Sequence, residues 1–210
     1  MITVIANLKG GSGKSTITFN LGIWLATKGQ PVVAYDLDPQ CTLLDVAEVR
    51  REDGHAPPFQ VYQTESNITD NLRHHNGEVL VDVGAANLDA MKEALITANR
   101  IVIPVPPSQA DVWATQRFLN ILNETEANHA TEILAFVNRA DTHHAVRESD
   151  ETAEALRMLP GIEVMEHRLR QRTIFRRSFS EGLAVFELMP GCKSAVEFEE
   201  LATALYPQFA

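Results

Sequence analysis

The stretch Lys9-Gly10-Gly11-Ser12-Gly13-Lys14-Ser15-Thr16 limits what this chain can become more than any other part of it. It follows a short apolar run, Ile2 to Ala6, and precedes a segment in which Ile17, Leu21, Trp24 and Leu25 recur at helical spacing. A glycine-rich turn between a strand and a helix can gather several backbone N–H groups around one point. Glycine tolerates φ > 0 and lets the main chain come close to a ligand. The start of the helix adds partial positive charge. Such a turn suits a phosphate-rich anion. Lys14 would reach the terminal phosphates, and the Ser15 hydroxyl would ligate a Mg²⁺ travelling with them.

The rest of the chain alternates apolar runs with helical patterns, the signature of βαβ units and a largely parallel sheet. Strands are expected at 31–36, 79–82, 101–105 and 133–137. Leu88, Met91 and Leu95 stripe one helix, Val112, Thr115, Leu119 and Leu122 a second, and Ala195, Phe198, Ala202 and Leu205 a last one. Residues 148–159 also read as helical. Residues 48–76 are the least readable, a surface excursion with one short strand near Phe59–Tyr62. No repeat, low-complexity tract or linker divides the chain, so residues 1–210 read as a single α/β domain.

Two further strand ends carry carboxylates. In an open α/β sheet the carboxyl ends of the strands face the ligand crevice, and Mg-nucleotide chemistry needs one acid near the attacking water and another at the metal shell. Asp36-Leu37-Asp38-Pro39-Gln40 closes the second strand, although an aspartate before a proline-bounded turn also serves as an ordinary cap. Val79-Leu80-Val81-Asp82 is an apolar strand ending in aspartate, with Gly84 beside it. Asp82 would hold Mg²⁺ through a water. Asn138, at the end of the strand 133–137, has an amide that both donates and accepts, which suits a base edge or a simple turn.

The box K-G-G-x-G-K-[ST], with Leu8 where the usual phosphate loop has glycine and Lys9 before the glycine pair, resembles the deviant Walker A motif of the ParA/MinD superfamily. The string at Asp36–Gln40 resembles the switch I motif of ParA proteins. The stretches 101–112 and 172–187 are ParA-like too. The resemblance is strongest to small ParA-type partition and positioning ATPases without an N-terminal helix-turn-helix domain. It implies a three-layer αβα P-loop NTPase fold with a mostly parallel twisted sheet, and slow hydrolysis of ATP with Mg²⁺. Lys9 to Thr16 would bind the nucleotide, with Lys14 and Lys9 acting in catalysis. Asp38 would orient the water, and Ser15, Asp36, Asp38 and Asp82 would serve the metal shell. Asn138 would read adenine, with Pro104, Pro106 and Pro107 walling the base. Lys9 would cross to a second copy, so that ATP drives homodimerisation and hydrolysis releases it. A ParB-like adaptor would trigger that release.

Formal net charge is −10, which opposes nucleic-acid binding overall. The exception is 165–177, where Arg168, Arg170, Arg172, Arg176 and Arg177 stand against one glutamate. In small ParA proteins a basic C-terminal region binds DNA without sequence preference, and arginines neutralising phosphates give that salt-sensitive affinity. The same arginines could equally be paired with the many carboxylates of the chain. With this reading the protein is expected to be cytoplasmic and nucleoid-associated. Its two cysteines, Cys41 and Cys192, lie outside any C-x-x-C spacing and read as reduced packing residues.

Three rivals share the core. A MinD-like membrane switch would need a basic amphipathic tail, whereas 197–210 is acidic and contains a proline, so no membrane partner is expected. A nitrogenase-iron-protein-like reductase would need a cysteine pair after Asp82, and none is there. A metabolic enzyme of the dethiobiotin-synthetase-like kind would need an acceptor site, for which the sequence offers no residues.

Overall fold

The computed structural model describes residues 1–64, 66–125, 130–143 and 147–209. Glu65, inside the poorly readable stretch, lies outside the described residues, as does Ala210. Seven strands form the parallel sheet: β1 (Ile2–Asn7), β2 (Val32–Asp36), β3 (Gln60–Tyr62), β4 (Glu78–Gly84), β5 (Arg100–Val105), β6 (Glu132–Ala140) and β7 (Glu163–Val164). Their order across the sheet is β3-β2-β4-β1-β5-β6-β7, and a further short strand, β8 (Leu169–Arg170), pairs with β6. Every pair is parallel. The register places Ile5 beside Asp82 and Asp36 beside Asp82, which brings the carboxyl ends of the three central strands level.

The sheet is covered on both faces, as the alternation of its side chains requires. Ile5, Leu80, Val102, Leu134 and Phe136 face one apolar cluster, which contains residues of α1 (Lys14–Thr27), α2 (Thr42–Glu52), α7 (Thr173–Ser180), α8 (Val185–Leu188) and α9 (Lys193–Leu205). Val4, Ala6, Val79, Val81, Ile101, Ile103 and Ala135 face the other, with α3 (Ile68–Arg73), α4 (Leu88–Thr97), α5 (Gln109–Glu124) and α6 (Glu148–Arg157). This is the three-layer αβα arrangement of P-loop NTPases. β1 and β4 are buried along their whole length, which is why they read as continuous apolar runs rather than alternating ones. Helix α1 is itself packed on several sides: Gly22 leaves room for the Phe59 ring, against which a Cβ would lie 2.2 Å from Cζ.

In the stretch 48–76 the short strand expected near Phe59–Tyr62 is present as β3, at the sheet edge, but the rest is more ordered than a surface excursion: α2 runs into it as far as Glu52, and α3 buries Ile68 and Leu72. Arg50, in the charged string Arg50-Arg-Glu-Asp-Gly, is 1% exposed. Only local composition could be seen in the sequence, and the partners that bury this segment are distant in the chain.

Candidate functional site

A cleft of about 780 Å³ opens at the carboxyl end of the sheet. One wall is the turn between β1 and α1, from Gly10 through Thr16, and the floor is set by Asp38, after β2, and Gly84 to Ala86, after β4. Asn138 and Arg139 at the end of β6 border the turn, and Leu169 to Thr173 with Phe175 and Arg176 close the far side. Gly11 (φ 72°) and Gly13 (φ 95°) take the left-handed conformation that glycine alone adopts without strain, so the chain turns sharply into α1. Gly13 has a second constraint, because a Cβ there would lie 2.4 Å from Asn138 Nδ2.

Lys14 is buried although it carries a charge, and it forms no ion pair among the described residues. Its position is fixed by Gly84: a methyl on Gly84 would meet Asp38 Oδ2 at 2.6 Å and Lys14 Nζ at 3.4 Å. The Lys14 ammonium and the Asp38 carboxylate therefore both border the space over that glycine. Asp38 is held by its own turn, with Oδ1 accepting from Gln40 N at 3.0 Å and its carbonyl accepting from Cys41 N at 2.9 Å.

Asp36 plays a different part. Its Oδ2 accepts from Leu43 N (2.9 Å) and Leu44 N (3.0 Å), and its Oδ1 accepts from Asp38 N (3.1 Å). It caps α2 and fixes the Asp38 turn at once. Burial raises its pKa, and the three backbone donors work against that rise.

Asp82 is 1% exposed, and among the described residues neither of its oxygens accepts a hydrogen bond of regular geometry, although the Ser15 hydroxyl lies close by. Burial pushes its carboxyl up to about 7, with the nearby Ser15 hydroxyl and Lys14 ammonium opposing and Asp36 and Asp38 reinforcing the shift. The Ser12 hydroxyl is likewise buried without a hydrogen-bond partner among the described residues. Orphaned carboxylate oxygens beside a serine hydroxyl fit a hydrated cation, whose charge and bound waters would satisfy them. Among the described residues no three His, Cys, Asp or Glu side chains form a metal cluster.

Lys9 stands apart from the other residues of the box. It is exposed, does not line the cleft of its own chain, and has no side-chain partner among the described residues. Its backbone is nevertheless fixed: Asn7 Oδ1 accepts from Lys9 N at 2.9 Å, while Asn7 Nδ2 donates to the Pro104 carbonyl at 2.8 Å. Asn7's part could not be read from residue spacing, since an asparagine closing a buried strand has no distinctive pattern.

Asn138 sits at the cleft, with its Nδ2 donating to the Ser12 carbonyl at 2.7 Å. Arg139, which the sequence reading passed over, donates from Nη1 to the Gly11 carbonyl at 2.7 Å. Pro104, Pro106 and Pro107 are not among the residues lining this cleft. The basic segment is largely neutralised. Arg168 pairs with Asp150 (2.5 Å), Arg170 and Arg172 share Glu197 (2.6 Å each), and Arg177 pairs with Glu181 (2.9 Å). Arg176 is exposed, has no ion pair among the described residues, and lines the cleft together with Arg170 and Arg172.

Comparison with known proteins accords with this geometry. The chain is 27% identical over 210 residues to the maintenance of carboxysome distribution protein A of Halothiobacillus neapolitanus, covering 97% of this chain and 95% of that one. Its fold is similar to apo McdA of Cyanthece (TM-score 0.78, 18% identity, 97% of this chain and 98% of that one). It is also similar to a plasmid partition protein of Borrelia burgdorferi bound to AMPPNP (TM-score 0.77, 15% identity, 99% and 98%). The profile of the CobQ/CobB/MinD/ParA nucleotide binding domain matches residues 3–185, a span that holds the glycine turn, Asp38, Asp82 and Asn138. The chain belongs to the CobQ/CobB/MinD/ParA nucleotide-binding-domain family.

Proposed function

We propose that this protein is a Mg²⁺-dependent ParA-type ATPase whose ATP-bound dimer positions a cargo in the cell. The observation that carries this reading is the separation of the two lysines. Lys14 is buried beside Asp38 and Gly84, while Lys9, seven residues from strand β1's start and backbone-tethered by Asn7, stays outside its own cleft. A cation fixed at the rim and unused by its own site is suited to a second copy's phosphates, as the resemblance to ParA proteins implies.

In this reading the amides of the turn and the Lys14 ammonium bind the phosphates and offset the charge that builds up in phosphoryl transfer. Asp38, with Oδ2 free of backbone partners, orients the attacking water. Asp82 and Ser15 hold hydrated Mg²⁺, and Asp36 keeps the Asp38 turn in place. Mg²⁺ would supply further neutralisation of the phosphate oxygens. Asn138 Oδ1 remains available to accept from the amino group of adenine. Lys9 of one copy acts on the nucleotide of the other, so loss of the γ-phosphate weakens the dimer.

The names of the similar proteins, one in carboxysome distribution and one in plasmid partition, support a positioning role. We assign nonspecific DNA as the track and a ParB-like protein as the adaptor. Arg176, exposed and without an ion pair among the described residues, is the first contact to test, because Arg168, Arg170, Arg172 and Arg177 are held by carboxylates. The test is DNA retention and oligomeric state of the purified protein with ATP, ADP or no nucleotide across a salt series. ATP-dependent dimers that bind DNA at low salt and release it at high salt are expected. A monomer with ATP would overturn the dimer switch, and Lys14→Ala binding nucleotide normally would overturn the site itself.

A further inference from the structure

Arg139 combines three unusual features. It is one of three described non-glycine residues with positive φ, at 58°. It falls at an irregularity in β6: the register with β8 jumps from Asn138↔Leu169 to Ala140↔Arg170, leaving Arg139 as the extra residue. Finally, its guanidinium reaches back across the cleft rim to the Gly11 carbonyl. An L-residue in the left-handed region is strained, and such strain persists where the surrounding structure requires it. Bulges commonly re-aim a side chain that regular alternation would send elsewhere.

We infer that Arg139, with Asn138, is a positioning residue that sets the direction of the phosphate-binding amides. The Gly11–Ser12 and Ser12–Gly13 peptides are trans, and in a trans peptide the C=O and N–H point in opposite directions. Arg139 Nη1 holds the carbonyl of the first peptide, and Asn138 Nδ2 holds that of the second. Both carbonyls are drawn toward β6. The N–H groups of Ser12 and Gly13 are therefore turned the other way, and neither donates to another protein group among the described residues. Gly11 and Gly13, both at positive φ, would otherwise let these two peptides rotate. The bulge at Arg139 thus removes a freedom that the glycines introduce, and two amides are oriented before a diphosphate or triphosphate arrives. This inference rests on the nucleotide site described above and assigns a role to a residue outside the glycine turn.

The test compares Arg139→Gly, Arg139→Ala and Lys14→Ala with the wild type. The readouts are binding of a fluorescent ADP analogue, KM and kcat for ATP, and thermal midpoint. Glycine relieves the strain at φ 58°, so Arg139→Gly should melt at or above the wild-type temperature. It should nevertheless bind ADP roughly tenfold more weakly, about 1.4 kcal/mol, with KM raised by a similar factor and kcat within about twofold. Arg139→Ala should show the same KM effect without the gain in stability. Wild-type affinity in both Arg139 variants would overturn the inference, as would a fall in thermal midpoint of Arg139→Gly that tracks its loss of binding. The Lys14→Ala arm separates this from the site assignment. If that variant alone loses ADP, the nucleotide site stands and only the role of Arg139 fails.

Discussion

The Arg50 guanidinium donates two parallel hydrogen bonds to the Glu187 carboxylate, Nη1 to Oε2 at 2.8 Å and Nη2 to Oε1 at 2.9 Å, in a part of the molecule where Arg50 is 1% exposed. The same guanidinium donates to the carbonyls of Pro57 and Gly182, each at 3.0 Å. Gly182, at φ 63°, has no room for a side chain because a Cβ would stand 2.7 Å from the Arg50 backbone nitrogen. Glu187 also accepts from Ala184 N at 2.8 Å. One ion pair therefore ties α2, which follows the Asp38 turn, to α8 near the C-terminal third of the chain.

Removing one side of that pair leaves a buried charge. Glu187→Ala is predicted to cost about 3–5 kcal/mol, a fall of roughly 10 °C in thermal midpoint for a chain of this length. Differential scanning calorimetry measures it directly. A shift of a degree or two would show that Arg50 finds water or another acceptor.

Gly84 is predicted to accept no side chain without loss of activity. Its φ is not positive, so the obstacle is steric: the new methyl would press on Asp38 Oδ2, which the backbone bonds of its turn hold in place. Gly84→Ala should lower ATP turnover about 10- to 100-fold by displacing the switch carboxylate, while the midpoint moves only a few degrees. Phosphate release at saturating ATP tests this, and unimpaired turnover would separate Asp38 from the reaction.

Asp82 makes the nucleotide-free protein pH-sensitive. Its folded pKa, near 7, stands above the unfolded value of 3.8. Between those values the folded chain holds a proton that the unfolded chain has lost, so stability falls as pH rises through the window. The full cost has an upper bound of about 4 kcal/mol. In metal-free buffer at pH 8, Asp82→Asn should melt roughly 5 °C above wild type, and the gap should narrow toward pH 5. A constant gap across that range would remove Asp82 as its source.

Glu197 is predicted to act in the opposite sense. Burial would raise its carboxyl, but bonds from the Arg172 side chain and from the Arg170 amide and side chain hold it below its usual value. Such a group stabilises the fold fully above its unfolded pKa of about 4.5 and loses that contribution as pH falls through the lower, folded value. Glu197→Gln should therefore cost about 1–2 kcal/mol at pH 7, with the difference fading toward pH 3. Urea titrations at several pH values would reveal a pH-independent deficit if the pairing were not responsible.

What could be read in advance followed from short-range rules. The glycine turn, the apolar strands β1 and β4, and the helices α4, α5 and α9 are encoded by spacing and composition within single segments. The βαβ units and parallel sheet followed from their alternation, and the three-layer αβα form from the resemblance carried by the glycine box. The stretch 48–76 resisted because α2 owes the burial of Arg50 to Gly182 and Glu187, and α3 packs against α4, partners that no local pattern links to them. The basic run 168–177 left open whether its arginines are paired. Its charge was plain in the sequence, but Asp150, Glu181 and Glu197 neutralise most of it, and two of those partners come from other helices. Asn7 and Arg139 were missed because their work is to hold backbone carbonyls and amides, which leaves no trace in residue spacing.

By itself the sequence determined that a strand, a glycine turn and a helix would present amides and lysines to a phosphate, because those preferences are local and reside in the residues themselves. Only the tertiary structure decided where the other members stand: Asp38 above Gly84, Asp82 stripped of partners, and Arg139 bent back onto Gly11. Those placements arise from strand order, register and burial, which depend on contacts between segments far apart in the chain and so cannot be written into any one of them.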